Sequence, residues 1–508
     1  MIDVTPLFRL YCRRRLKQLH ALNAAETQQK ILRSLLRLGA GTRFGREHEL
    51  TPDLTVSEYQ KRVPLRSYED FWKEYWEPAF PVVENATWPG RIPYYAVTSG
   101  TSSGRTKYIP LTKPILSNNT RSGLDVIAFH LAARPQSRLF AGKSFMLGGS
   151  TELVEEAPGV HSGDLSGIIT HTLPVWGRPF SFPGRELALL ADWEEKLERL
   201  AQASLHEQIR VLAGVPSWLL ILLERVRALR GDSAANPYPE LELLVHGGVN
   251  FGPYRHRFEE MLAGSHAELR EVYAASEAFI AVADRGEGEG MRLNLDHGIF
   301  YEFVPLEELN AEQPRRHWVG NLEPGVNYAV VMTTPAGLWS YILGDTVRFI
   351  ETDPPRLLIT GRTAYGMSAF GEHLIAEEIE TAVATAAEAI GADVTDHAMG
   401  AVHPRNNGEV LGRHRYFVEF AEPPAESALQ RFAEVLDQEL SRLNDDYSAH
   451  RSGGVGMAAP EIALVSPGGF AAWMKQRGKL GGQNKVPRII NDDDLFADLE
   501  SFVQRREA

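Results

Sequence analysis

At 508 residues, with 44% hydrophobic and 23% charged side chains, the chain has the make-up of a globular protein of two or three domains; no uninterrupted apolar run approaches the roughly 20 residues of a membrane span. A formal net charge of −13 argues against a nucleic-acid or anionic-membrane partner, so any polyanionic ligand must meet a local basic site. The single cysteine, Cys12, excludes an internal disulfide and a cysteine-built zinc or iron–sulfur centre, which fits a reducing cytoplasm.

The first residues include Arg9, Arg13, Arg14, Arg15 and Lys17 with no long apolar core behind them, so no secretory signal is expected. Asn23 followed by Glu26 resembles a capping box, Ile31, Leu32, Leu35 and Leu36 keep a helical period, and Gly39 and Gly41 supply the stop. Ser67 and Asp70 open a short helix. Residues 92–97 (IPYYAV) read as a strand and 108–111 start another. Between them lies TSGTSSGRTK, residues 98–107, with two glycines, three serines and three threonines. Glycines permit backbone angles that other residues resist, so such a loop can turn its N–H groups inward around an anion. Lys107 adds a mobile point charge suited to a phosphate. The spacing of Gly100, Gly104 and Lys107 is not that of a Walker A loop. A flexible linker is the competing reading, but linkers seldom run between two apolar segments and end in basic residues.

Residues 116–131 read as a helix and 145–185 as loop-rich, either the wall of a substrate pocket or a surface excursion. Helices are expected at 192–203, 217–230 and 253–262, and short strands at 242–245 and 271–273. The first strand runs into the turn Gly247-Gly248, the second into Ala274, Ala275, Ser276 and Glu277. This is α/β layering, in which ligands sit outside the carboxyl ends of strands. Gly247, Gly248, Ser276 and Glu277 would then lie near the glycine–serine loop if all three segments share a sheet. A strand at 328–332 turns through 333–337 and returns over 338–343, ending at Gly344-Asp345. Residues 346–350 and 357–360 form a further hairpin. After Gly361-Arg362 a smaller α/β unit is expected, with helices at 375–389, 427–443 and 469–476 and strands at 416–420 and 461–465. A basic glycine loop, residues 477–488 (RGKLGGQNKVPR), follows.

Three separated stretches, residues 98–107, YAASE at 273–277 and YILGD at 341–345, resemble in order and spacing the three nucleotide motifs of the auxin-responsive (Gretchen Hagen) acyl acid-amido synthetases, members of the acyl-adenylating enzymes. The segments SAFGEHL (368–374) and GGQNKVPR (481–488) extend the resemblance over nearly the whole chain, which looks like a bacterial-type member. Two positions depart from the family pattern, Ile342 where arginine is common and Asn484 where tyrosine is common. The resemblance implies an α/β fold: a large N-terminal adenylation and acyl-substrate domain with layered sheets and helices, residues 1–361, and a small mobile C-terminal α/β domain, residues 362–508. The active site would lie in the cleft between them. It also implies a two-step reaction. ATP adenylates a small carboxylic acid, and an amine, expected to be an amino acid, then displaces AMP.

The implied roles map residue by residue. Ser99, Gly100, Thr101, Ser102, Ser103, Gly104 and Lys107 match the phosphate loop. Tyr273 and Ser276 line the nucleotide, Glu277 holds Mg²⁺, and Asp345 accepts the ribose hydroxyls. Lys485 reaches the phosphates when the small domain swings in, with Lys479 a second candidate. His246, Gly247 and Trp176, with Phe180 and Phe182, are substrate-wall candidates, against core packing as the plain alternative. The histidines show no metal-ligand pair such as H-E-x-x-H, so no protein-built metal site is assigned. No nucleic-acid, membrane or protein partner is inferred, and no acid specificity is carried over. A thiol or alcohol acceptor, or a nucleotide-binding regulator without turnover, are the remaining functional readings.

Overall fold

The structure, a computed structural model, describes residues 3–98, 107–148, 153–188, 190, 193–231, 236–248, 251, 255–286, 288–309, 311–362, 366–372, 374–404, 411–452, 456–477 and 486–507. These divide into two compact units. The larger takes in described residues up to 248 and from 259 to 362; the smaller takes in those from 366 onward, with 251 and 255–258. Among the described residues, no helix is long and apolar enough to cross a membrane.

The larger unit is built on two sheets. One has four strands in the order Lys107–Leu111, Tyr94–Thr98, Val160–Gly163 and Val154–Ala157. The first two are antiparallel, with Thr98 opposite Lys107. The other sheet has twelve strands. Five of them, Glu268–Ala274, Leu243–Gly247, Ile209–Gly214, Lys143–Met146 and Ser181–Phe182, run parallel. The remaining seven, from Phe279–Val282 and Met291–Leu293 through Pro355–Arg362, Tyr341–Thr352, Asn327–Thr333 and Phe300–Pro305 to His317–Trp318, are antiparallel. Every residue of Phe300–Pro305 is buried, as a strand covered on both faces requires.

Three expectations are corrected here. The hairpin that flanks the glycine–serine stretch does not share a sheet with Gly247 and Glu277, because Tyr94–Thr98 takes Val160–Gly163 as its parallel neighbour instead. That neighbour comes from the segment expected to be loop. Residues 145–185 in fact hold short strands and the helix Leu165–Thr172, which Asp164 caps through the Ser166 N–H at 2.7 Å. Elements of four residues leave too little periodicity to read. Thirdly, Gly344-Asp345 does not end a strand. It lies inside the 12-residue strand Tyr341–Thr352.

Two of the basic N-terminal residues, Arg9 and Arg15, turn out to be tethers. Helix Thr5–His20 lies along helix Lys113–Ala133. Arg9 donates to the carbonyls of Leu131 (2.7 Å) and Ser137 (2.9 Å), and Arg15 pairs with Asp125 and Asp296. In the next helix, Ala24–Gly39, Asn23 accepts from the Glu26 N–H as expected. Gly39 serves packing: a Cβ there would sit 2.2 Å from the ring of Trp339, itself fully buried.

The smaller unit has a four-stranded sheet in the order Glu461–Val465, Arg413–Phe420, Val394–Val402 and Ile489–Ile490. Helices Ala376–Ile390, Glu426–Leu443, Gly469–Gln476 and Asp493–Glu507 accompany it. Glu372 is wholly buried here. It accepts from the N–H groups of Ala369 (3.1 Å) and Phe370 (2.7 Å) and pairs with Nε2 of His414 at 2.8 Å. Burial alone would raise its pKa, but the imidazole and the backbone donors outweigh it and hold the carboxyl down to about 2. A carboxyl more acidic when folded stabilises the fold above its unfolded pKa, and that contribution is lost as pH falls from the ordinary 4.5 towards about 2. Urea midpoints of the smaller unit are therefore expected to fall more steeply across that window in the native chain than in Glu372→Gln. Equal slopes would count against the pairing.

Candidate active site

The parallel strands of the large sheet end together. Leu243–Gly247 closes on the buried His246 and on Gly247, where a Cβ would lie 2.3 Å from the Val272 carbonyl oxygen, so only glycine lets the backbones approach. The neighbouring strand Glu268–Ala274 turns back directly into Phe279–Val282. Ala275 and Ala278 exchange main-chain hydrogen bonds of 2.8 and 3.3 Å, which leaves Ser276 and Glu277 at the tip of a two-residue turn. Glu277 is half-buried there.

A second stretch meets this turn. In Tyr341–Thr352, residues 343–345 stand opposite the single residue Val330, and Gly344 has φ 100°. This β-bulge lifts Asp345 out of the ladder with Asn327–Thr333, while it stays paired with Arg362 on the other side. Two crossed hydrogen bonds then join the stretches: Tyr273 Oη donates to Asp345 Oδ2 at 2.7 Å, and Tyr341 Oη donates to Glu277 Oε1 at 2.9 Å. Each stretch carries a tyrosine and, four residues on, a carboxylate; each tyrosine holds the other stretch's carboxylate. Both tyrosines are buried.

Tyr341 is itself held on both sides. The Arg66 N–H donates to the Ser340 carbonyl (3.1 Å), and the Ile342 N–H donates to the Arg66 carbonyl (2.9 Å). Ser340 is buried with φ 46°, a left-handed conformation that costs a non-glycine residue of order 1–3 kcal/mol and persists only where the surroundings over-determine it. Here its N–H donates to Thr333 Oγ1 (3.0 Å), and its hydroxyl bonds Glu302, Tyr59 and Arg316.

Lys107 adds a cation. Its side chain is buried, its Nζ lies 3.8 Å from Glu69 Oε1, and it sits over the ring of Tyr68 at 5.1 Å. Burial raises the Glu277 pKa above the usual carboxylate range; the Tyr341 hydroxyl and the Lys107 charge oppose this, and the Asp345 charge adds to it. Burial, then the Glu277 charge, keeps Tyr341 protonated and a donor.

A magnesium ion suits what is present only in one form. Glu277 offers hard oxygens: its carboxylate accepts from Tyr341 Oη at Oε1 and from its own backbone N–H. No cluster of three metal-ligating side chains occurs among the described residues. The ion would therefore take most of its ligands from phosphate and water, as Mg²⁺ usually does.

The structure thus brings together Lys107, Tyr273, Glu277 and Asp345, with Ser276 beside Glu277 at the turn. Ser99, Gly100, Thr101, Ser102, Ser103, Gly104, Lys479 and Lys485 lie outside the described residues. Trp176 is exposed (56%). Phe180, partly buried, and Phe182, buried, pack edge-on against Phe140 and Phe145. Sequence reasoning missed Tyr68 and Glu69. The capping box at Ser67 and Asp70 marks their helix, Tyr68–Phe71, but nothing local says that it faces Lys107.

Comparisons with known proteins agree in direction. The GH3 family N-terminal domain matches residues 14–161 and 155–267, its central domain residues 293–362 and its C-terminal domain residues 377–494. The chain is 24% identical to the indole-3-acetic acid-amido synthetase GH3.3 of Arabidopsis thaliana over 46% of its own length and 40% of that protein's. It is 26% identical to the indole-3-acetic acid-amido synthetase GH3.8 of Oryza sativa subsp. indica over 61% of its own length and 54% of that protein's. The matches thus span about half the length of these curated relatives. In fold it resembles the GH3.15 acyl acid amido synthetase, with a TM-score of 0.59 at 18% identity, covering 96% of this chain and 95% of that one. It resembles a 2-hydroxyisobutyryl-CoA ligase nearly as closely, with a TM-score of 0.58 at 16% identity, covering 96% and 94%.

Proposed function

This chain belongs to the GH3 family, and on that premise we propose that it is an ATP-dependent acyl acid-amido synthetase. A carboxylate oxygen of a small acid attacks the α-phosphorus of ATP and pyrophosphate leaves. The nitrogen of an amine, an amino acid by analogy with the relatives, then attacks the acyl carbon; AMP leaves with the bonding electrons and the nitrogen loses a proton.

The observation that supports this best is the crossed pairing of Tyr273 with Asp345 and Tyr341 with Glu277 beside Lys107. In this reading Lys107 meets the charge that gathers on phosphate oxygens, a fixed cation that needs no reorganisation as the charge develops. Tyr273 orients the Asp345 carboxylate towards the ribose hydroxyls, and Tyr341 orients Glu277 towards the nucleotide metal. Mg²⁺, when bound by Glu277, phosphate oxygens and water, would supply charge neutralisation at the phosphates. Ser99, Gly100, Thr101, Ser102, Ser103 and Gly104 keep the phosphate-loop role that the family resemblance implies, and Lys485 that of the C-terminal lysine. His246 and Gly247, at the strand ends, are proposed to border the acyl pocket.

The acceptor is the open half. The fold is as close to a thioester-forming ligase as to an amide synthetase, so the amine rests on family membership. The test is acid-dependent ATP–pyrophosphate exchange over a panel of aromatic and aliphatic acids, with Asp345→Ala as control, followed by mass spectrometry of products formed with amino acids and with coenzyme A. Exchange with at least one acid, lost in the control, and an amide product are expected. ATP binding without exchange for any acid would favour a non-catalytic nucleotide-binding protein. A thioester alone would replace the acceptor.

A further inference from the structure

Helix Lys113–Ala133 begins two residues after the strand that opens with Lys107. Its Asn118 is fully buried and reaches the far side of the Glu277 turn. Oδ1 accepts from the Phe279 N–H at 2.9 Å, and Nδ2 donates to the Phe279 carbonyl at 3.3 Å. The local pairing explains why a carboxamide stands there. Ala275 and Ala278 bond each other across the turn, so the peptide groups of the next residue, Phe279, point away from Glu268–Ala274. On that other side the neighbouring strand Met291–Leu293 pairs with Ala281 and Val282 and stops short of Phe279, while on the Glu268–Ala274 side the register slips between Phe279 and Ala281. Two main-chain groups of this partly buried residue would be left without the strand partner they need. Asn118 supplies one acceptor and one donor in the place of the missing strand.

The clamp is braced from behind. Asn294 Nδ2 also donates to the Phe279 carbonyl (3.1 Å) and to Ser122 Oγ (3.0 Å), one turn along the same helix. Ser122 bonds His297 Nδ1 at 2.9 Å, and His297 Nε2 lies 3.1 Å from Asp125, which Arg15 holds. Ser122, His297 and Asp125 stand in the order of a nucleophile triad, but all three are buried, and the chain they form ends on Phe279.

We propose that Asn118 is a positioning residue for Glu277: it fixes the peptide two residues beyond the turn tip and thereby aims the Glu277 carboxylate, held from the other side by Tyr341, at the metal of bound nucleotide. This rests on the reading of Glu277 given above. The experiment is calorimetric titration of the full chain with ATP, once with Mg²⁺ and once with EDTA, for the native chain, Asn118→Ala, Asn118→Asp, Glu277→Gln and the double variant Asn118→Ala/Glu277→Gln.

Asn118→Ala is expected to weaken binding in Mg²⁺ by about tenfold and to change binding in EDTA by less than about twofold. Asn118→Asp, which keeps the acceptor for the Phe279 N–H and loses the donor, falls between. In the Glu277→Gln background Asn118→Ala adds nothing, because a residue acting through another is fully coupled to it. Equal weakening with and without Mg²⁺, or additive effects in the double variant, overturns the inference and leaves Asn118 a structural residue only. If Glu277→Gln itself binds ATP with native Mg²⁺ dependence, the reading of Glu277 fails first, and the inference with it. Should Asn118→Ala fail to fold by thermal melting, Asn118→Asp carries the same comparison.

Discussion

Replacing Lys107 by alanine is expected to lower acid-dependent ATP–pyrophosphate exchange by about 100- to 1,000-fold, the usual cost of removing one fixed donor from a site where charge develops. The strand pairing sets the position: Lys107 stands opposite Thr98, so the two ends of the glycine–serine stretch are tied at this residue. Its ammonium is buried, and the carboxylate of Glu69 is 3.8 Å away. The Lys107 charge also lowers the Glu277 pKa, against burial that raises it. Removing it lets that pKa rise further, so the acid limb of the exchange–pH profile should move to higher pH in Lys107→Ala. Lys107→Arg keeps the charge in a planar, bulkier group and should retain part of the rate. A loss below about tenfold with an unmoved acid limb would place Lys107 away from the reacting phosphate.

The largest effect on stability is expected at Arg316. Its guanidinium donates to both oxygens of Glu302 (2.9 and 3.0 Å), to the carbonyls of Gln60 (2.7 Å) and Val63 (2.6 Å), and to Ser340 Oγ (2.6 Å). Glu302 has no exposed surface. Arg316→Met strands that carboxylate in the interior and should destabilise the larger unit by about 3–5 kcal/mol. The double variant Arg316→Met/Glu302→Leu removes both charges and should recover much of the loss, because a buried pair is expensive to break and close to neutral to replace. Urea unfolding of the larger unit, followed by tryptophan fluorescence, reads both. A loss under about 1 kcal/mol for Arg316→Met would mean that water reaches Glu302. Because Ser340 keeps its left-handed backbone within this network and adjoins Tyr341, the network also secures one of the crossed pairs.

Much of this site is legible in the chain itself. The tyrosine-to-carboxylate spacing of four appears in both YAASE and YILGD, and the hydroxyl-rich stretch ending in Lys107 points to phosphate chemistry by its residue types. Turn, cap and period signals act within a few residues, which is why the hairpin at 94–111, the cap at Ser67 and the helices of the parallel half are readable from neighbouring residues alone. Misreadings have equally local causes. Gly344-Asp345 looks like a turn because glycine followed by aspartate usually is one, whereas here a strand on each side holds the pair in a bulge. The strands between 279 and 318 are short or covered on both faces and show no alternation to detect.

The sequence by itself determined the family and the α/β class, and it singled out the residue types here proposed to meet a nucleotide. Only the tertiary structure decided who holds whom: Tyr273 with Asp345, Tyr341 with Glu277, Glu69 beside Lys107, and Asn118 against Phe279, partners 72, 64, 38 and 161 positions apart. Contacts of that range depend on strand register and on which polar groups burial leaves in need of a partner, and neither is written in a local pattern.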